Sequence, residues 1–530
     1  MNSLRISFSR TRLSFAASMV LCWMVISPVL FAWQSDLGNG LYKNPVLFAD
    51  YSDPDVIRVG TEFYMVSSSF HFMPGIPVLA SKDLVNWRII GHVYDHFDFD
   101  PAYDLAGGDR YGKGCWAPAI RHHDGRFWVY FPTPQEGIFM STARSAAGPW
   151  SAPVQVKKIA GWEDPCPFWD DDGNAYLIHS VLGAGPLILN KMSADGMHLL
   201  DDGTTIVKDH DTMPTLEGPK LYKMRGYYYI FAPAGGVAHG WQEVLRSTNI
   251  YGPYEHRKVL AQGDTAINGP HQGAYVETAS GQSWFIHFQE HGAYGRVFWL
   301  EPVKWVDNWP VIGQAPDDAT NGQPVLTWTK PDTGSNASIE IPQTSDTFNS
   351  PTLGLQWQWN HNPDNSKWSL TARPGHLRLT ATPADSLLHA RNTLTQMLSD
   401  PASAVTTTLD TRNMADGQRA GLCLFGNPSA WIGVMHSGGK QQIAFYAATN
   451  ETSGPAIAAQ DVQLRASITN GIVTFSYSLD GRQFISFGTP VKLQFSWWKG
   501  ARPGLFSFNT AAATNQPPGT ADFDWFRYEP

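Results

Sequence analysis

One phrase, repeated five times, limits what this chain can fold into more than any other feature. It is a hairpin with a glycine in its turn and an aromatic, β-branched strand after it. The copies are RVGTEFYMVSS, RHHDGRFWVYF, WDDDGNAYLIHS, KMRGYYYIFAP and TASGQSWFIHF. Their turn glycines, Gly60, Gly125, Gly173, Gly226 and Gly281, lie roughly 50 to 65 residues apart, the period of propeller blades. A second phrase often follows each hairpin: SKDLVNWRII, STARSAAGPWSAPV, KMSADGMHLLDD, RSTNIYGPYEHRKV and LEPVKWVDNWPVIG. Each reads as a further strand running into a turn. Five such pairs predict five four-stranded blades closed around an axis.

Composition agrees with short strands and tight turns. The 530 residues include 48 Gly, 37 Pro and 21 Trp, with 13% aromatic and 16% charged. After Gly313 the texture changes. Residues 314–345 are rich in Pro, Gly, Asp, Thr and Ser and read as a linker. Beyond them come alternating runs such as HLRLTAT, AGLCLFG, QQIAFYAA, VTFSYSLDG and ADFDWFRYE. Strands separated by turns every 8–12 residues are a sandwich signature, here of jelly-roll type. The expectation is therefore an all-β chain with a five-bladed β-propeller over 36–313 and a β-sandwich over 346–530.

Residues 1–35 are set apart as a leader. Arg5, Arg10 and Arg12 precede a nearly uncharged run from Leu13 to Trp33, the pattern of a signal peptide, with cleavage after Ala32 or a little later. The run is also long enough to stay as an N-terminal anchor. Either way the protein is expected to be exported, to the periplasm or the medium. A net charge of −9 excludes a nucleic-acid partner, which would require a basic face. Cys115, Cys166 and Cys423 have no metal-binding spacing; a Cys115–Cys166 bridge or buried thiols are both open.

Side chains at the inner ends of propeller blades converge on the axis. Three carboxylates precede strand starts there: Asp53 in ADYSDPDVI, Asp164 in GWEDPCPFW and Glu217 in LEGPKLY. A buried charge must be paired, hydrogen-bonded or functional. Carboxylates from three blades would repel one another and raise at least one pKa. Glycosidic hydrolysis needs that arrangement: one carboxylate ionised as base, another protonated as acid.

The stretches NPVLFADYSDPDVIRVG, GCWAPAIRHHDGRFWVYF, EDPCPFWDDDGNAYLIHS, LEGPKLYKMRGYYYIF, GPHQGAYVET and YGRVFWLEPVKWVDNWPVIG occur in the order found in glycoside hydrolase family 43, which the chain resembles over about residues 43–313. The tail, with TFNSPTLGLQWQWNHNP and ADFDWFRYE, resembles the concanavalin-like sandwich of the family's β-xylosidase-type members. The resemblance implies an inverting displacement, with Asp53 as general base, Asp164 raising the pKa of the acid, and Glu217 as general acid. It further implies that Trp116 stacks on sugar, that Phe70 walls the terminal subsite and that Arg296 grips hydroxyls. His271 matches an axial histidine that in many relatives touches a central calcium or its water. No cofactor is required, and a structural calcium is the one metal left open, at His271 or at Asp522 and Asp524. Ser52 and Asp55 depart from the family pattern. Asp53 and Asp55 would share a face of an extended strand, so Asp55 competes for the role of base. His71, His122, His123 and His291 read as loop or rim residues.

The resemblance implies an exo-acting enzyme removing terminal β-D-xylose or α-L-arabinofuranose from plant cell-wall hemicellulose, as in xylan degradation, or from xylo- or arabino-oligosaccharides. Endo-arabinanase-type cleavage and a catalytically silent carbohydrate-binding propeller are the alternatives.

Overall fold

The computed structural model describes Met1 and residues 33–316, 319–335, 337–511 and 518–530. The leader expected over 1–35 therefore falls almost wholly outside the described residues.

Four four-stranded antiparallel sheets follow one another in the chain, and a fifth sheet, with Trp309–Ile312 as an added strand on Arg296–Val306, completes the ring. The first blade comprises Asp55–Val59, Glu62–Val66, Gly75–Ser81 and Trp87–Tyr94. The second comprises Ala119–His123, Arg126–Thr133, Gly137–Ala143 and Val154–Lys158. The third comprises Trp162–Trp169, Ala175–Val181, Leu187–Met192 and Thr204–Val207. The fourth comprises Lys220–Met224, Tyr227–Ala234, Trp241–Ser247 and Glu255–Leu260. The fifth takes Gly273–Glu277, Ser283–Glu290 and Arg296–Val306 from late in the propeller. It takes its outer neighbour, Leu47–Asp50, from the chain's start, which ties the ring shut. The repeated glycines sit where the sequence places them, between the first two strands of each blade. All five have positive φ, from 63° at Gly60 to 86° at Gly173 and Gly281, a region side chains rarely enter. The architecture is the expected five-bladed propeller followed by a concanavalin-like sandwich.

The sandwich is two antiparallel-dominated sheets whose inner faces share one core of Trp357, Leu422, Ile432, Leu464, Phe523 and Phe526. The same core takes in Phe48, Tyr294, Val297 and Trp299 of the propeller, so apolar burial is continuous across the two. One sandwich sheet also runs on into the propeller, where Gln358–Asn360 pairs with Phe72–Met73. The segment read as a linker is laced to the propeller: Thr327–Thr329 pairs with Leu41–Lys43, and Lys330 bridges Asp36 and Asp83.

Several polar groups are spent on structure. Cys115, Cys166 and Cys423 are buried free thiols, which rules out the Cys115–Cys166 bridge. Asp522 accepts two hydrogen bonds from Arg378 (2.7 and 2.8 Å) and one from Arg373 (3.0 Å). Its oxygens are taken by guanidinium groups, so the Asp522–Asp524 strand offers no calcium cage. His71, expected at a rim, is fully buried among Phe72, Tyr111, His361 and Trp497.

Candidate active site

A funnel of about 360 Å³ opens on the propeller axis. All seven residues singled out from the sequence line it: Asp53, Phe70, Trp116, Asp164, Glu217, His271 and Arg296. Each acid arrives on a different local device. Asp53 lies in the turn between Leu47–Asp50 and the first blade, with φ of 51°. Asp164 sits in a bulge of the third blade's inner strand, also with positive φ (57°). Glu217 stands just before the fourth blade, where Gly218 turns the chain with φ of 60°. Left-handed backbone at two non-glycine residues costs roughly 1–3 kcal/mol each, and such strain gathers at functional sites.

Asp53 is held by two donors. Arg296 Nη1 donates to its Oδ1 at 3.0 Å, and the Ser68 hydroxyl donates to Oδ2 at 2.6 Å. Asp55 does not share its face. The positive φ at Asp53 breaks the extended run, and Asp55 turns into the wall, where Ile120 N–H (2.8 Å) and Arg121 Nη1 (2.7 Å) bind its Oδ2. Asp55 is fully buried and absent from the funnel lining.

Asp164 accepts from Gly218 N–H at 2.8 Å and from the Ser180 hydroxyl at 3.2 Å. Burial pushes its pKa up, and the neighbouring Glu217 adds to the rise. Glu217 Oε1 lies 3.2 Å from His271 Nε2. Three acids, Glu163, Asp164 and Glu217, have carboxylate oxygens within 4.8 Å of one another. Carboxylates this close cannot all ionise, so the cluster retains a proton.

Glu163 went unseen in the sequence. Strand alternation points adjacent residues to opposite faces, so a strand carrying Asp164 inward should turn Glu163 outward. The register shift between Glu163 and Cys166 cancels that rule, and both side chains enter the funnel. Burial raises the Glu163 pKa strongly, with the charges of Asp164 and Glu217 adding to it. Lys220 was also missed. Its ammonium is buried without a hydrogen-bond partner among the described residues, and its charge opposes the rise at Asp164.

Part of the remaining wall is aromatic. Phe70 and Trp116 stand 6.5 Å apart, ring centre to ring centre, and Trp498 of the sandwich faces Trp116 at 6.5 Å. The Arg296 guanidinium lies 4.6 Å from the Phe288 ring centre, 5.8 Å from Phe495 and 5.7 Å from Trp498. Its Nε is buried with no partner among the described residues, a spare donor beside the funnel. Trp498 is the residue no strand pattern marks: it sits in a turn, and both Trp497 (54°) and Trp498 (64°) have positive φ.

The residues around His271 do not fit a calcium site. A hard cation takes six to eight oxygens, and imidazole nitrogen suits it poorly. Among the described residues, the acidic group close enough to chelate is Glu163, Asp164 and Glu217, which does not include His271. The structure instead sets His271 against Glu217.

The family model for glycosyl hydrolases family 43 matches residues 42–310, and that for the beta xylosidase C-terminal concanavalin A-like domain matches residues 345–529. The beta-xylosidase of Formosa agariphila is 35% identical over 93% of this chain and 91% of its own. The non-reducing end alpha-L-arabinofuranosidase of Bacteroides ovatus is 34% identical over 65% of this chain and 66% of its own. Among solved structures, a bifunctional GH43-CE protein of Bacteroides eggerthii superimposes with a TM-score of 0.82 at 32% identity. It covers 92% of this chain, which spans 63% of that longer protein. With five blades, an axial acid cluster and both domains matched, the chain belongs to glycosyl hydrolases family 43 and is a glycosidase.

Proposed function

We propose that this protein is an exported, exo-acting and inverting glycosidase that releases terminal pentoses, β-D-xylose or α-L-arabinofuranose, from hemicellulose and its oligosaccharides. The observation carrying this reading is a funnel near the small end of ligand sites (roughly 300–1,000 Å³), walled on one side by Trp498 from the second domain. An open groove of the endo-acting kind would need that side free. The apolar rings suit the C–H face of a pentose, while Arg296 Nε and the axial acids suit its hydroxyls.

In this reading Asp53 accepts a proton from water as that water attacks the anomeric carbon. Arg296 and Ser68 fix the orientation of the Asp53 carboxyl for the task. Glu217 gives its proton to the departing glycosidic oxygen, so one proton is taken and one delivered per bond cleaved. Asp164, held by Gly218 and Ser180, keeps negative potential beside Glu217 and sets its orientation.

The test is release of pentose from p-nitrophenyl β-D-xyloside and α-L-arabinofuranoside, measured side by side. Glu217→Gln should lower kcat by about a hundred- to ten-thousandfold. The loss should shrink for a dinitrophenyl leaving group, which needs no proton. Wild-type protein that binds sugar and hydrolyses neither pentoside would contradict the reading and favour a silent binding module.

A further inference from the structure

Three segments distant in sequence converge on one buried carboxylate outside the funnel lining, Asp50. Its Oδ1 accepts from Arg296 N–H at 2.9 Å and from the Ser52 hydroxyl at 3.1 Å. Its Oδ2 accepts from Gly500 N–H of the sandwich at 3.0 Å. The Lys499 ammonium lies 3.6 Å from Oδ2, donates to the Asp50 carbonyl at 3.0 Å, and reaches the Ser52 hydroxyl at 3.5 Å. Asp50 and Lys499 are both buried. Two glycines make the approach possible: a Cβ on Gly295 would meet the Asp50 carboxylate carbon at 2.2 Å, and one on Gly500 would meet Gly295 N at 2.5 Å.

We propose that Asp50 and Lys499 form a buried clasp by which the sandwich holds the Asp50–Asp53 turn, making Lys499 a positioning residue for the base. The inference rests on Asp53 being the base.

The turn has one internal side-chain tie, the Ser52 hydroxyl on Asp50; the first blade holds its far end through Ser67 and Ser68, and the sandwich holds its near end. Leu47–Asp50 ends at the clasp, Asp53 stands three residues on in left-handed backbone, and Arg296 joins both ends. Its backbone N–H binds Asp50 and its guanidinium binds Asp53. The sandwich side is anchored in turn: Trp497 stacks on Tyr111 at 4.2 Å, and Ala501 N–H donates to Ala293 carbonyl at 2.8 Å. A turn so fastened can hold the base within the fraction of an ångström that catalysis demands. The charge matters as well as the fastening. Burial pushes the Lys499 pKa down to about 8, opposed by Asp50 and Asp53, with Arg502 and Arg296 pushing the same way as burial. His71 and Cys115 also feel its charge, and Glu163 and Asp164 face Asp53 from the third blade.

The experiment compares full-length wild type with Lys499→Met, Lys499→Arg and the double variant Asp50→Asn/Lys499→Met. It reads kcat, KM, the pH profile of kcat/KM and amide hydrogen exchange of residues 49–56. Lys499→Met should cut kcat on the order of ten- to a hundredfold with KM within about threefold. It should move the acidic limb to higher pH, because a buried cation coupled to Asp50 and Asp53 is gone, and speed exchange in 49–56 ahead of the sandwich core. Lys499→Arg should recover part of the rate. The double variant removes both charges of the clasp together, so it reports on the clasp even where the single variant fails to fold. Exchange in 49–56 unchanged from wild type, or raised equally through both domains with the acidic limb unmoved, would overturn the clasp. If wild type cleaves no pentoside, the functional reading fails, and exchange alone decides the clasp.

Discussion

At the scale of single residues, Asp53, Asp55 and Glu163 show what a motif carries and what it omits. Asp53→Asn should abolish turnover whatever the leaving group. Asp55→Asn should act on stability through its lost pairing with Arg121 and leave kcat within about threefold; thermal melts beside initial rates check both. Glu163 gives a pH signature. The unfolded chain releases this proton near the ordinary glutamate value of 4.5, whereas the folded protein holds it because of burial and its acidic neighbours. Each step in pH above that value therefore favours the unfolded chain, so stability should fall as pH rises from about 5 toward about 9. Glu163→Gln should flatten that slope in Tm measured across the range; an unchanged slope would place the proton elsewhere. Asp53, Asp164 and Glu217 were legible because each is a charge set before an apolar strand next to Pro or Gly. Glu163 was not, because a bulge is set by packing and leaves no periodic trace.

At the scale of elements, the five hairpins were readable down to their glycines, since a tight turn demands positive φ and the flanking alternation demands one packed face. The turn bearing Trp497 and Trp498 was not. Two tryptophans in left-handed backbone contradict local preference, and contacts across the fold explain them: Trp497 with Tyr111, His71 and Phe425, and Trp498 with Trp116 and Arg296. Such a turn is held from outside, which is why no window of sequence predicts it. Trp498→Ala should widen the funnel and cost roughly 1 kcal/mol of sugar contact, about fivefold in KM, with kcat little changed. Steady-state kinetics on xylobiose and on longer xylo-oligosaccharides checks this; the variant should lose preference for the short chain. Gly295→Ala is a sharper probe, since its methyl would collide with the Asp50 carboxylate and displace the strand carrying Arg296.

At the scale of the whole molecule, propeller and sandwich share an apolar core and a sheet. Arg502 is buried between them, donating to Gln358 at 2.9 Å and lying 4.1 Å from the Phe72 ring centre. A core that spans both should melt as one unit, so calorimetry should record a single cooperative transition. A chain ending at residue 345 would expose Phe48, Tyr294 and Trp299 and should aggregate. Two resolved transitions would contradict the shared core. The sequence announced both domains through their different strand spacing, and the family resemblance implied a sandwich loop over the pocket, but nothing in the strand pattern marked Trp498 as the residue that forms it.

Proton NMR of the first sugar released from p-nitrophenyl β-D-xyloside, or from the matching α-L-arabinofuranoside, bears most directly on the roles of two acids that line one small funnel. A single displacement by water predicts that the product appears first in the inverted configuration, α-xylose from the β-xyloside, and only later equilibrates. Product that appears first with its configuration retained would mean that a carboxylate bonds to the sugar, and it would contradict a base at Asp53 working with an acid at Glu217.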